Sequence, residues 1–123
     1  MTRWHSRQEL PGLRHTIHYL TDGEECPIQE FLDGLEADDV ATHKQAINRL
    51  RNFANGPLPQ NDEVCKQLEG DLWEFKAKQA RLFFFIRGRD LHFCCAYRKK
   101  KPRLDPRELR RARGMRDCWS AEV

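Results

Sequence analysis

The sequence of 123 residues predicts a two-layer α+β fold in the order strand, helix, helix, three-stranded antiparallel meander, helix. Three observations lead there. Two stretches in the first half carry apolar residues at helical spacing. Three strand-like stretches then follow with very short links between them. A basic segment with helix-start signals closes the chain. The length suits one domain spanning 1–123, in which residues 1–12 are expected to be a flexible N-terminal extension.

Leu13 to Leu20 (LRHTIHYL) has β-type alternation, with Leu13, His15, Ile17 and Tyr19 on one face and Arg14, Thr16 and His18 on the other. Thr21-Asp22-Gly23 reads as a turn. Pro27 is placed to open a helix whose Ile28, Phe31, Leu32 and Leu35 share a face, and Gly34 weakens it. A longer helix is expected from about Asp38 to Asn55, capped by Asp38 or Asp39, with Val40, Ile47, Leu50, Phe53 and Ala54 as its stripe. Asn55-Gly56-Pro57 stops it, and residues 57–70 read as a polar connection. Both helices are expected to pack on a sheet and carry no chemistry.

The meander comprises Leu72–Ala77, Arg81–Arg87 and Asp90–Arg98. Its middle strand is apolar on both sides, as a central strand should be. In the third, alternation sets Leu91, Phe93, Cys95 and Tyr97 against His92, Cys94, Ala96 and Arg98. The last helix takes Asp105 as N-cap, Pro106 as first residue and Glu108 as capping-box partner. Leu109, Ala112 and Met115 face inward, and Arg107, Arg110, Arg111 and Arg113 face outward.

Charge divides the chain. Residues 1–70 hold seven Lys/Arg against twelve Asp/Glu, a balance of −5, and residues 71–123 hold fifteen against seven, or +8, which together give the net +3. Such asymmetry points to a polyanion or acidic-protein partner for the second half, or to a solvated basic face without one. No stretch approaches the roughly 20 apolar residues of a membrane span, and the N-terminus lacks a signal-peptide core. The expectation is a cytoplasmic protein. Cys26, Cys65, Cys94, Cys95 and Cys118 form no CxxC pair, so free thiols and no metal or other cofactor are expected.

The meander gathers cations at one end of the sheet. Lys76 ends its first strand and Arg81 opens the second. Tyr97, Arg98, Lys99, Lys100 and Lys101 close the third, near Arg81. Lys, Arg and Tyr without a carboxylate cluster suit a phosphodiester. A Lys or Tyr among cations can have a lowered pKa and act as general base on a ribose 2′-hydroxyl, and aromatic or Arg groups can stack on an unpaired base. Taken singly, each group has a plainer reading as a solvated strand-end charge or half-buried sheet residue. The run Arg98 to Arg103 equally fits an import signal, a phosphate-binding edge or a soluble loop.

With these pieces in order, the sequence resembles the HigB-like, phage-derived branch of the RelE/ParE toxin superfamily of bacterial toxin–antitoxin modules. The resemblance runs over about residues 13–119. It is carried by Pro27-Ile28-Gln29-Glu30-Phe31-Leu32, Leu68-Glu69-Gly70-Asp71-Leu72-Trp73-Glu74-Phe75-Lys76, Arg81-Leu82-Phe83-Phe84-Phe85, Tyr97-Arg98-Lys99-Lys100 and Pro106-Arg107-Glu108-Leu109 with Ala112. It implies a RelE-like domain, metal-independent cleavage of mRNA in the ribosomal A site, and a cognate helix-turn-helix antitoxin as partner. It also implies catalytic roles for Lys76, Arg81, Tyr97 and Lys100. Arg81 and Lys100 would support the phosphate, and Lys76 or Tyr97 would be the base. Arg98, Lys99, Lys101, Arg103, Arg107, Arg110 and His92 complete the expected RNA contacts. The family often has a His two residues before the aromatic. Cys95 stands there, leaving His92 to act from elsewhere or the activity changed. The rival functions are a ParE-like gyrase inhibitor that cuts no RNA and an RNA- or ribosome-binding module without catalysis.

Overall fold

The computed structural model describes residues 3–119. Its elements are β1 (His5–Pro11), β2 (Thr16–Thr21), α1 (Pro27–Asp38), α2 (Val40–Asn55), β3 (Cys65–Glu69), β4 (Leu72–Ala77), β5 (Ala80–Arg87), β6 (Asp90–Arg98) and α3 (Pro106–Asp117). The sheet order is β1-β2-β6-β5-β4-β3. Only β2 and β6 run parallel, and every other neighbouring pair is antiparallel. The α+β class follows as expected. The α1/α2 pair lies on one face over Ile17, Phe75, Leu82, Phe84, Leu91 and Phe93. On the other face α3 buries Ala112 and Met115 against Phe83, Phe85, Cys94 and Cys95.

Two strands differ from the sequence expectation. His5–Pro11, read as a flexible extension, is an edge strand paired with β2. Cys65–Glu69, read as connection, is the opposite edge and pairs with β4 through a turn at Gly70, whose φ of +52° favours glycine. The opening strand also begins later than Leu13. Residues 12–15 turn onto the end of α2, where the Arg14 and His15 N–H groups donate to Ala54 O at 2.9 Å and occupy a helix-terminal carbonyl. Gly12 makes this approach, since a Cβ there would lie 2.3 Å from that oxygen.

Asp39 is the cap of α2, its carboxylate accepting the Thr42 N–H. The buried stripe runs through Thr42, Ala46, Leu50, Phe53 and Ala54, whereas Val40 is 64 % exposed because the helix begins there, one residue after the cap. Asp105 caps α3, accepting the Arg107 N–H at 2.9 Å. The capping box with Glu108 is not made. The Asp105 N–H points instead to Tyr97 Oη at 3.5 Å, and Glu108 Oε2 is buried without a partner. Two ties hold α3 to the β3–β4 hairpin: Arg113 grips Glu69 at 2.7 and 3.1 Å, and Arg116 reaches Asp71 at 3.1 Å.

The β6 alternation is broken by a bulge. Leu82 pairs with Ala96 but Phe84 pairs with Phe93, so Cys94 and Cys95 together oppose Phe83. Both sulfurs lie under α3. Beyond the bulge the facing is inverted. Ala96 packs toward the helix pair and Tyr97 toward α3, so Tyr97 shares a face with His92 and not with Phe93.

Candidate functional site

Register brings three of the expected catalytic residues into one row. Lys76 pairs with Arg81, and Arg81 pairs with Tyr97. Leu72, Phe83, Phe85 and Tyr97 belong to the α3-side cluster, so strand alternation puts Lys76 and Arg81 on that side too. The bulge is what adds Tyr97 to the row. The Tyr97 ring stacks on Phe83 at 5.8 Å with planes 13° apart. Arg81 is anchored by its own turn, Nη1 donating to Lys78 O at 2.6 Å and to Ala80 O at 3.0 Å, while its Nε is buried without a partner.

Electrostatics separates the two proton-carrying members. Burial pushes the Lys76 ammonium below its ordinary pKa. Glu74 opposes that shift, and Arg81, Lys66 and Lys99 add to it. Burial pushes the Tyr97 phenol up, with the Asp105 N–H and Arg81 pulling the other way. The lowered pKa expected for a base is therefore found at Lys76 and not at Tyr97, which is a neutral donor near pH 7.

Next to the row, a cleft of about 540 Å³ opens between the end of β6 and the start of α3. Tyr97 lines it together with Arg98, Lys99, Lys100, Lys101, Arg103, Arg107 and Arg110, and Asp105 is the sole carboxylate of the lining. Lys100 thus stands in the cleft wall, not in the row. Among the described residues, Lys99, Lys100, Lys101, Arg103 and Arg110 have no ion-pair partner. Arg98 is committed, pairing with Asp38 and Asp39 at 3.2 Å each, and Arg107 pairs with Asp105 at 3.4 Å.

His92 does not join them. It is 4 % exposed and lies opposite Phe85, four residues along β5 from Arg81, or about 13 Å at strand rise. Its Nδ1 bonds Ser6 Oγ at 2.6 Å, its ring stacks on His18 at 4.7 Å, and burial together with His18 lowers its pKa to about 4. His92 is therefore buried away from the row and the cleft. Cys95 offers no substitute, because burial raises its thiol to about 12. The sequence reading missed two residues of the site. Lys66, on the unrecognised β3, lies opposite Glu74. Glu74 is 4 % exposed, its Oε1 is 4.0 Å from Lys76 Nζ, and its Oε2 has no partner. The Glu69-Gly70-Asp71 turn signal could have revealed β3, and with it Lys66. No pattern in the sequence marks Glu74 as buried.

Among the described residues, no three His, Cys, Asp or Glu side chains are grouped to hold a metal ion, and no helix is long and apolar enough to cross a membrane. Residues 30–117 match the family described as Phage derived protein Gp49-like (DUF891). No curated protein matches the chain.

Proposed function

The chain belongs to the phage-derived Gp49-like family, and from that premise we propose that it is a toxin that cuts mRNA on the ribosome and so blocks translation. The family is the RelE/HigB-like toxin family of type II toxin–antitoxin modules, which implies an antitoxin partner. A helix-turn-helix antitoxin and action in the cytoplasm belong to the same proposal.

The observation that carries it is the row Lys76–Arg81–Tyr97 beside a cleft with five cations that have no ion-pair partner among the described residues. Cleavage in this reading is an attack of the ribose 2′-oxygen on phosphorus. The bond to the 5′-oxygen breaks, leaving a 2′,3′-cyclic phosphate and a 5′-hydroxyl. Arg81 and Lys100 neutralise the charge that develops on the phosphate oxygens. Tyr97 stays protonated and stacks or donates, and Lys76 is the group that moves a proton. The free cleft cations track the RNA backbone.

The test is a translating ribosome with a defined A-site codon. The wild-type chain should cut the mRNA there and leave cyclic phosphate ends, and Arg81→Ala should not. Intact mRNA together with blocked gyrase supercoiling would replace this reading with the gyrase one. Ribosome binding without cleavage would leave a binding module.

A further inference from the structure

Glu74 is a carboxylate in a place where carboxylates are rare: on a strand paired on both sides, and almost fully buried. The other two buried polar residues have partners. Thr42 Oγ1 donates to Asp39 at 2.7 Å, and His92 bonds Ser6. Glu74 has only the Lys76 ammonium, 4.0 Å away, and its second oxygen meets no donor. Lys66, directly opposite on β3, is exposed and makes no ion pair with it. A side chain kept only for packing would be apolar here, because an under-paired buried charge costs stability.

We infer that Glu74 is the positioning residue of this site: sealed beneath the row, its carboxylate orients Lys76 Nζ and holds it as an ammonium, making Lys76 the proton donor to the departing 5′-oxygen. The inference rests on the nuclease reading for its chemistry and names the direction in which Lys76 moves its proton. The P–O5′ bond breaks, that oxygen takes a proton from Lys76, the 2′-hydroxyl proton passes to water, and Lys76 regains a proton from solvent. The groups around Lys76 otherwise oppose its charge. Lys66 on β3, Arg81 on β5 and Lys99 after β6 are cationic, and Tyr97 on β6 is a neutral phenol. Arg49 of α2 meets only the Lys76 carbonyl, at 2.6 Å. Among the described residues, Glu74 is the one anion that holds the proton in place.

Two measurements on the full chain decide it. In side-chain NMR titration, Glu74→Gln should lower the Lys76 midpoint by about one pH unit, the lower end of the effect of a neighbouring charge. In single-turnover mRNA cleavage on ribosomes, Glu74→Gln should shift the falling alkaline limb down by the same amount. That costs about tenfold at the alkaline end and little at pH 6.5. A general-base Lys76 gives the opposite sign, since lowering its midpoint would raise activity at pH 7. An unmoved midpoint, an unmoved limb or a faster variant at pH 7 overturns the inference. Should the Gln variant not fold, Glu74→Met, an apolar side chain of similar length, takes its place in both measurements. A wild-type chain that leaves mRNA intact overturns the nuclease reading and the donor role. The titration still decides whether Glu74 holds the Lys76 proton.

Discussion

The face of the sheet that α3 covers has two polar ends, and they are built from similar parts. One is the Lys76–Arg81–Tyr97 row, with Tyr97 stacked on Phe83. The other gathers Ser6, His18, His92 and Trp119 around Phe85, with Arg87 over the Phe85 and Trp119 rings. At the second end most bonds close on one another, and His18 Nδ1 is the buried atom left without a partner. Trp119 Nε1–H donates to Ser6 Oγ at 2.9 Å, Ser6 meets His92, and His18 Nε2 meets Asp90 at 2.9 Å. At the first end capacity is left over: Arg81 Nε, Glu74 Oε2 and the free cations of the cleft wall. Polar residues mark a site where unspent bonding lies beside cations open to solvent. Where it is spent inward, they clamp β1 and the end of α3 to the sheet.

The contrast breaks most visibly at Arg81. Arg81→Ala should lower cleavage by about 10²–10³, the cost of one transition-state donor. Its unfolding midpoint in urea should barely move, since the side chain bonds only its own turn. A large loss of stability with cleavage intact would reverse the assignment.

The closed end should show itself in pH. His92 is buried with its pKa lowered to about 4, against 6.5 in the unfolded chain. The unfolded state therefore takes up the proton first as pH falls. The stabilisation is complete above pH 6.5 and is lost between there and about pH 4, for a total of about 3 kcal/mol. Urea unfolding at a series of pH values should show this slope. His92→Gln should flatten it and leave cleavage at pH 7 unchanged.

Asp39→Ala sharpens the comparison from a third position. It removes the cap of α2 and one partner of Arg98, so stability should fall by about 1 kcal/mol, read by thermal or urea unfolding. Cleavage should hold, because Arg98 is committed to the helix pair. The smallest effect is expected in the salt dependence of binding to single-stranded RNA. Lys101→Ala should reduce the slope of log K against log salt by about 0.7, one released counterion. Arg98→Ala should leave it nearly unchanged.

Legibility in the sequence followed how each element is stabilised. The strands β4 and β6 match their predicted bounds, and α3 begins where its predicted cap puts it. The two edge strands were lost. His5–Pro11 and Cys65–Glu69 gain order from backbone pairing at the rim of the sheet and carry no strong apolar period. The convergence of Lys76, Arg81 and Tyr97 was legible because hairpins with two-residue links leave little freedom in register. Arg98 and His92 lie apart from the row for two reasons. Parity inverted at the bulge and sent Arg98 to Asp38 and Asp39, and β1 together with Trp119 covered His92 from positions remote in the chain.

The paired cysteines opposite Phe83 have a consequence for chain length. Losing either one by deletion would restore strict two-residue periodicity in β6. Tyr97 would stay opposite Arg81 on the face that α3 covers, because the residues on either side of the bulge would keep their partners. The bulge is therefore a slack point in β6, where one residue can be gained or lost while Tyr97 keeps its place beside Arg81.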